Sequence, residues 1–243
     1  KDECLDLPRK LYETRYTWMT EDQRYFYELA KDEILDELDI NDFDSTVIFR
    51  LFTALQSIVS GFWNYKGDLI EIKNNRPEKL RDILRGIPGE EKVIIWAKFR
   101  YDIEKIKEIV GEYVHETLAE YHGGLNEKQK VNELEKFRNE ARFLVASPGS
   151  GGRGLTLNEA SHVIFYNNSF KYSERDQSED RCHRIGQENN VTYIDIECIG
   201  SIDERISESL ARKSGVLTDF KNEIDKVKKS GKKSKVKELI KAL

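Results

Sequence analysis

The sequence contains little of what marks secreted, zinc-binding or membrane-spanning proteins. Among its 243 residues there are only three cysteines, four prolines and one methionine. The cysteines are odd in number and form no C-x-x-C pair, which argues against a disulfide framework and a zinc site and favours a reducing cytosol or nucleus. No apolar run approaches the ~20 residues that cross a bilayer, so no membrane partner is expected.

Both ends of the chain stand out. It opens on Lys1 and its single methionine is Met19, so we expect a piece of a longer protein. From Lys221 to Leu243 there are nine lysines against three acidic residues, which gives this tail about +6 and, with a formal total of -5, leaves about -11 on the rest. A lysine-rich tail is typical of a solvated helix, and it would also attract a phosphate backbone in a salt-sensitive way.

Residues 1–75 carry mostly helical patterns. Thr20 and Gln23 have the spacing of a capping box, which predicts a helix that continues to about Leu38. A second run of apolar residues at helical spacing extends from about Ser45 to Phe62. We predict three segments along the chain: a helical lead-in over 1–75, an α/β lobe over 76–216 and a lysine-rich helical tail over 217–243.

From Glu91 onward, short apolar runs alternate with helical stretches. Five runs predict buried strands, at Val93–Ala97, Leu118–Tyr121, Arg142–Ala146, His162–Tyr166 and Val191–Cys198. The other stretches predict helices, at about 101–110, 126–138, 173–185 and 202–213. This alternation predicts an α/β fold with a doubly wound parallel sheet and helices on both faces, whose sites form in loops beyond the carboxyl ends of the strands.

The loop after the third predicted strand is rich in glycine. It runs from Ser147 to Gly154 and has four glycines within six residues, which lets a backbone turn sharply and expose its N–H groups, although such loops are often only flexible. The sequence Gly-Lys-Ser/Thr occurs nowhere, and no acidic box follows an apolar strand. The chain therefore cannot cradle a triphosphate on its own by the usual P-loop.

The segment from 177 to 187 carries the strongest chemical pattern. On a helix, Gln177, Arg181 and Arg184 fall at i, i+4 and i+7, so one face would present an amide and two guanidinium groups. Neighbouring arginines repel each other unless an anion lies between them, and a developing γ-phosphate supplies that charge. The arginines of a surface helix also pair with nearby carboxylates, here Glu174, Glu179 or Asp180, and the spacing alone leaves both interpretations open.

The sequence Gln-x-x-Asp-Arg-x-His-Arg-Ile-Gly-Gln at 177–187 closely resembles motif VI of the Swi/Snf family of helicase-like ATPases. Other blocks of that family's carboxyl half follow in the expected order: 93–99 resembles motif IV, 121–124 with Phe137 the next block, 147–157 motif V, and 191–193 with 201–206 the closing strand and helix. Upstream, residues 7–10 with Gln23 and Phe26 are similar to the passage from the first lobe to the second. The chain is identified as a member of this superfamily-two group, which implies a RecA-like second lobe.

The resemblance implies a role for each matching residue. Arg181 and Arg184 would be catalytic arginine fingers inserted into the ATP site of a first lobe. The nucleotide would also be approached by Gln177, Gly152 and Gly154. One DNA strand would be faced by Lys98, His122, Gly123, Ser147, Gly149 and Ser150. No metal ligand is implied on this chain.

The resemblance also implies partners and an activity. The partners would be double-stranded DNA and the amino-terminal RecA-like lobe of the same protein. ATP and Mg²⁺ would be bound mainly by that first lobe, so neither is expected on this chain alone, and the isolated chain is expected to be inactive. The activity of the whole protein would be DNA-dependent ATP hydrolysis that drives translocation on the duplex.

The sequence departs from the family pattern in motif V and in the segment between motifs V and VI. Asn167-Asn168-Ser169-Phe170-Lys171-Tyr172 stands where most members carry Asp-x-x-Trp-Asn-Pro, and Thr156 stands where asparagine is usual. Two other functions stay open: a strand-separating superfamily-two helicase, and a non-catalytic protein-binding module on a degenerate motor lobe. The compact lobe favours a microbial or viral, cytoplasmic protein, whereas a eukaryotic one would be nuclear.

Overall fold

The computed structural model describes residues 7–37, 44–112, 117–150, 155–229 and 234–243, which cluster into two compact units. The first, called the sheet unit, comprises the described residues within Lys1–Tyr16, Arg76–Ser169 and Ser173–Glu197. The second, called the helical unit, comprises those within Thr17–Asn75, Phe170–Tyr172 and Cys198–Leu243. Neither unit is continuous in sequence. The division into 1–75, 76–216 and 217–243 stays a prediction.

A six-stranded sheet organises the sheet unit. Its strands are β1 (Lys10–Trp18), β4 (Val93–Trp96), β5 (Leu118–Tyr121), β6 (Phe143–Ala146), β7 (His162–Phe165) and β8 (Val191–Ile199). They lie in the order β1-β8-β7-β4-β6-β5, and the pairs β4–β6, β4–β7, β5–β6 and β7–β8 are parallel. The five predicted strands are confirmed, each to within one residue at either end.

Four helices belong to this α/β alternation: α3 (Arg76–Gly86), α4 (Arg100–Gly111), α5 (Glu127–Asn139) and α6 (Tyr172–Cys182). The last three confirm predicted helices, but α6 ends three residues before the predicted end at Ile185. The start of α5 is fixed by a capping box, in which the side chains of Asn126 and Gln129 each accept the other's main-chain N–H at 2.9 Å.

The strands of the sheet unit bury alternate residues on two faces. Along β4, Val93 and Ile95 join an apolar cluster with residues of α3 and α4. Ile94 and Trp96 join a different cluster, which includes Phe137 of α5. All four β4 side chains are 0% exposed. A strand that is apolar on both faces is what the centre of a parallel sheet requires, and the two clusters confirm a doubly wound sheet with helices on both faces.

The helical unit contains helices from both ends of the chain. They are α1 (Glu21–Glu37), α2 (Ser45–Ser60), α7 (Ile202–Ala211), α8 (Val216–Lys229) and α9 (Ser234–Lys241), and they share one apolar cluster. The predicted capping box at the start of α1 is confirmed: the Thr20 N–H donates to Gln23 Oε1 at 3.0 Å, and the Gln23 N–H donates to Thr20 Oγ1 at 3.2 Å. The helices expected near both ends of the chain are therefore present.

Tyr27 joins three of these helices. Its hydroxyl accepts the Ile202 N–H at the start of α7 (2.8 Å) and donates to the Leu243 carbonyl after α9 (3.0 Å). Nearby, the Lys31 ammonium donates to the carbonyl of Lys241 at 3.1 Å, where the helix dipole favours a positive charge. In the part of the chain that is described, no helix combines the length and apolarity needed to span a membrane.

Three strands in residues 1–75 were not predicted from the helical patterns of that region. β1 is an edge strand in which Thr17 alone is buried, so its sequence carries no apolar alternation. The other two are β2 (Phe62–Tyr65) and β3 (Asp68–Glu71), which form an antiparallel hairpin. Its two-residue turn has positive φ at both Lys66 (51°) and Gly67 (97°), as hairpin turns of this length require.

Candidate functional site

The loops that follow the parallel strands meet at the carboxyl edge of the sheet. Main-chain hydrogen bonds extend the pairing beyond the strand ends: Ala97 N–H donates to the carbonyl of Ala146, and Tyr166 N–H to that of Trp96, both at 2.9 Å. Because carboxyl ends of parallel strands point the same way, this edge gathers the loops in which the candidate residues were predicted.

Arg181 lies in the last turn of α6 and is only 6% exposed. Its guanidinium carbon is 5.3 Å from the centroid of the Trp96 ring at the end of β4. Its carbonyl oxygen accepts the Leu157 N–H at 2.9 Å, so the main chain is held as well. Burial lowers the pKa of the guanidinium, yet arginine stays cationic at neutral pH. The fold thus holds a positive charge at the carboxyl edge in largely dry surroundings.

Arg184 lies two residues beyond the end of α6 and is exposed. Its Nη1 donates to Oγ1 of Thr156 at 3.4 Å. The single helical face expected for Gln177, Arg181 and Arg184 is therefore wrong, because the helix stops before Arg184 is reached. Gln177 is exposed on α6, Arg181 is buried at its end, and Arg184 extends from the turn that follows.

Gln187 explains why the helix stops there. Its side-chain amide donates to the carbonyl of Cys182 at 3.2 Å, which satisfies a helix-end acceptor, and to the carbonyls of Asn158 and Ala160 at 3.0 Å each. Gly186, just before it, has φ of +97°, a conformation that residues with a Cβ rarely adopt. The closing Gly-Gln of the 177–187 motif is thus a clasp that fixes the turn carrying Arg184.

Arg175 anchors the other end of α6. Its guanidinium binds both carboxylate oxygens of Asp195 on β8, at 2.5 and 3.0 Å, and also donates to Glu179 (2.7 Å) and Asn168 (2.9 Å). It lies 3.6 Å from the centroid of the Phe165 ring. Burial by itself lowers the pKa of Arg175, but the charges of Asp195 and Glu179 outweigh it and raise that pKa. Glu179 was one of three carboxylates that the sequence placed near Arg181 and Arg184. In the structure it is bound to Arg175 instead.

Asn167 ties the loop after β7 to the loop after β4. Its Oδ1 accepts the main-chain N–H of Lys98 at 2.7 Å, and its Nδ2 donates to Oδ2 of Asp102 at 2.5 Å. Asn167 is 1% exposed and Asp102 is 0% exposed. The Lys98 side chain is half-buried, with Nζ 5.1 Å from the centroid of the Phe99 ring. The buried Asn167 side chain thus fixes the main chain at Lys98, in a loop that was predicted to face DNA.

His122, a predicted DNA contact, is only 3% exposed. Its Nδ1 accepts the Gly124 N–H at 3.1 Å and contacts the Arg100 guanidinium, which leaves the proton on Nε2, 3.3 Å from the Glu120 carboxylate. The imidazole therefore shapes the loop from inside, while Gly123 and the Arg100 guanidinium are exposed beside it. Arg100 was not predicted from the sequence. The pattern that could have revealed it is a basic residue at the start of a helix, directly after a buried strand.

The start of the glycine-rich loop forms a short 3-10 turn at Pro148–Ser150. The Ser150 hydroxyl lies 2.7 Å from the carbonyl oxygen of Ser147, which makes the turn compact. Gly149 is exposed, and a Cβ built there would have no heavy atom within 4 Å. The predicted nucleotide residues Gly152 and Gly154 lie outside the described residues.

Known helicases resemble this chain in sequence. Residues 75–186 match the helicase conserved C-terminal domain. The chain is 28% identical over 216 residues to an uncharacterized ATP-dependent helicase of Mycoplasma pneumoniae, which covers 88% of this chain and 21% of that protein. It is 29% identical over 129 residues to the ATP-dependent helicase ULS1 of Saccharomyces cerevisiae, which covers 52% of this chain and 8% of that protein.

A solved structure has the same fold. The Sulfolobus solfataricus SWI2/SNF2 ATPase core in complex with double-stranded DNA matches with a TM-score of 0.69 at 22% identity, over 94% of this chain and 48% of that one. This chain therefore resembles a helicase C-terminal domain in sequence and a SWI2/SNF2 ATPase core in fold.

The chain spans less than a quarter of the length of these two curated relatives. Both relatives are named as ATP-dependent helicases. Among the described residues, no group of three or more His, Cys, Asp or Glu side chains is placed to hold a metal ion. A polar cavity of about 790 Å³ lies within the helical unit and is lined by none of the candidate residues.

The departures from the Swi/Snf pattern have local explanations. Asn167, where most members carry aspartate, faces the Asp102 carboxylate and donates to it. Phe170, where tryptophan is usual, is 4% exposed and packs edge-to-face against Phe49 and Phe52 within the helical unit. Thr156, where asparagine is usual, accepts from Arg184. Each replacement is thus accommodated by its own neighbours.

Proposed function

We propose that this lobe is the second half of a DNA-dependent ATPase motor that translocates on double-stranded DNA. The observation that carries the proposal is the placement of two arginines at the carboxyl edge of the sheet, with Arg181 buried over Trp96 and Arg184 exposed on a clasped turn. Two guanidinium groups at one edge suit the phosphates of a nucleotide held by a partner lobe.

The two arginines complete an ATP site whose P-loop belongs to the first lobe. ATP would be the substrate, and Mg²⁺, held mainly by the first lobe, would neutralise phosphate charge there. Arg184, being exposed, reaches the phosphates when the lobes close, and both arginines stabilise charge on the transferring γ-phosphoryl group. Gln177, exposed one turn earlier on α6, faces the same partner. Because this chain lacks a P-loop, it hydrolyses no ATP alone.

DNA is held through the exposed loops at the same edge. Gly123 and Gly149 leave their main chain open to close approach, which suits hydrogen bonds from N–H groups to phosphate oxygens. Lys98 and Arg100 add positive charge beside them. His122 acts through its main chain, because its imidazole is buried. The relative solved with double-stranded DNA supports a duplex as the partner.

The test is ATP hydrolysis by the full-length parent protein, with and without double-stranded DNA, beside this chain alone. We expect DNA-stimulated turnover in the parent and none in the chain. In the parent, Arg184→Ala is expected to lower kcat by about 10³-fold or more while ATP still binds, because an arginine supplied to a neighbouring domain's site is worth ~10³–10⁵ in rate. Arg184→Lys restores little, since an ammonium lacks the planar fork.

Arg85→Ala is the matched control. Arg85 is an exposed arginine of α3 that pairs with Asp82 on the same helix, so its loss is expected to leave turnover unchanged. Near-normal turnover in Arg184→Ala would remove the role given to that residue. Separation of DNA strands by the parent would favour the helicase alternative, and absence of any hydrolysis would favour the binding-module alternative.

A further inference from the structure

Trp96 is a buried indole without an obvious use for its N–H group. The side chain is 0% exposed at the end of the central strand β4, and its Nε1 has no hydrogen-bond partner among the described residues. A buried donor without a partner destabilises a fold, and phenylalanine would fill an apolar position without that cost. The presence of an indole therefore points to a use for the ring itself.

The ring's polar neighbour is Arg181. The guanidinium carbon lies 5.3 Å from the ring centroid, within the range of a cation–π contact, and the arginine is only 6% exposed. Tryptophan has the strongest π face of the aromatic side chains, and the attraction grows when water is excluded. The Trp96 ring thus faces a positive charge that the main chain already fixes at Leu157.

We propose that Trp96 is a positioning residue for ATP hydrolysis, whose ring holds the Arg181 guanidinium at the carboxyl edge before the nucleotide and the first lobe arrive. This inference rests on the function proposed above. A donor that is already in place stabilises developing charge without reorganising during the reaction. The two arginines then differ in kind: Arg181 is pre-placed on an aromatic platform, whereas Arg184 is exposed and closes on the phosphates with the first lobe.

The decisive experiment changes the π face without changing its shape. Tryptophans with one to four ring fluorines are incorporated at position 96 of the full-length protein, and DNA-stimulated ATP hydrolysis is measured. Each fluorine withdraws electron density from the ring, so we expect kcat to fall stepwise, by about 10- to 30-fold at four fluorines, the scale of a desolvated cation–π contact. The KM for ATP is expected to stay within about twofold, because a transition-state interaction is what weakens.

Replacing Trp96 by natural amino acids gives a second test of the proposal. Trp96→Phe keeps a weaker π face and is expected to retain more turnover than Trp96→Leu, which keeps none. Phe137→Leu is the matched control, since it removes a fully buried ring from the same apolar cluster, one that faces the Lys92 ammonium. In an Arg181→Met background, the Trp96 changes are expected to have little further effect on kcat, because the platform then has no cation to hold.

The outcomes separate this inference from the function on which it rests. If Arg181→Met leaves DNA-stimulated kcat unchanged, the role proposed for Arg181 fails and the platform fails with it. If Arg181→Met lowers kcat strongly but fluorination leaves kcat flat, the platform alone is overturned. The platform is also overturned if Trp96→Leu slows turnover no more than Phe137→Leu does. It is overturned as well if Trp96→Leu slows turnover by the same factor in the parent and in Arg181→Met.

Discussion

Replacing Asn167 by aspartate restores the residue that most Swi/Snf members carry, yet we expect the change to destabilise this protein. Asn167 Nδ2 donates to Asp102 Oδ2 at 2.5 Å, with both residues buried. Aspartate would still accept the Lys98 N–H, but it would turn a second carboxylate oxygen towards Asp102. The substitution therefore converts a hydrogen bond into a repulsion at an otherwise unchanged site.

The size of the effect follows from two estimates that agree. Two unit charges ~4 Å apart repel by ~4 kcal/mol at an effective dielectric constant of about 20. The pair can avoid this by keeping one proton, which costs ~1.4 kcal/mol for each pH unit above an ordinary aspartate pKa of ~3.9. That cost is ~1.5 kcal/mol at pH 5 and ~4 kcal/mol at pH 7, where it equals the repulsion and levels off. The expected loss in the free energy of unfolding of Asn167→Asp thus depends strongly on pH.

The sign follows from proton binding. Between about pH 4 and pH 7 the folded variant holds one proton more than its unfolded chain, so its free energy of unfolding falls as pH rises. We expect urea unfolding at pH 5, 6 and 7 to give a growing difference between the parent and Asn167→Asp. Asp102→Asn in the same chain is expected to recover most of the loss, because an amide then faces a carboxylate again. A loss that stays constant with pH, or no recovery, would refute the reasoning.

Three further predictions concern the elements that support the site. Lys92→Met is expected to cost ~1–3 kcal/mol in urea unfolding, because the Lys92 ammonium donates to three carbonyls at and after the end of α5. Gly186→Ala should lower thermal stability more than Gly67→Ala. Both glycines have φ of +97°, but only a Cβ at Gly186 would meet a neighbouring atom, Asn158 Nδ2 at 2.7 Å. Equal losses of thermal stability would contradict this. Arg175→Met should cost ~3–5 kcal/mol at pH 7, by leaving buried carboxylates unpaired. Burial raises the pKa of Glu179, but Arg175 holds that pKa below its ordinary value. The stability lost in Arg175→Met should therefore shrink as the pH falls below ~4.5, where the carboxylate takes up a proton. A loss of stability that stays constant with pH would contradict this.

Patterns that act over a few residues were readable in the sequence. The five apolar runs predicted their strands because a central parallel strand must be apolar on both faces, and β4 shows this directly. The box at Thr20 and Gln23 predicted the start of α1 because its bonds join residues only three apart. The loops that form the site followed from topology, since parallel strands bring their carboxyl ends to one edge.

The state of each site residue depended on distant neighbours. Arg181 and Arg184 are three residues apart and chemically identical, but one is buried over Trp96 and the other is exposed in a turn clasped by Gln187. His122 was predicted to face DNA, and the structure turns its imidazole inward towards Arg100 and Glu120. No periodicity encodes which of these occurs, because the contacts that decide it join residues far apart in the chain.

The sequence by itself therefore determined five strands of the sheet, the helices between them, the start of α1 and the edge at which the motifs gather. Tertiary structure alone decided that β1 becomes an edge strand, that helices from both ends of the chain share one core, and that Asn167 faces Asp102 across 65 positions. The physical reason is range: periodicity and caps act within a few residues, whereas burial and charge pairing are set by whatever packing brings alongside.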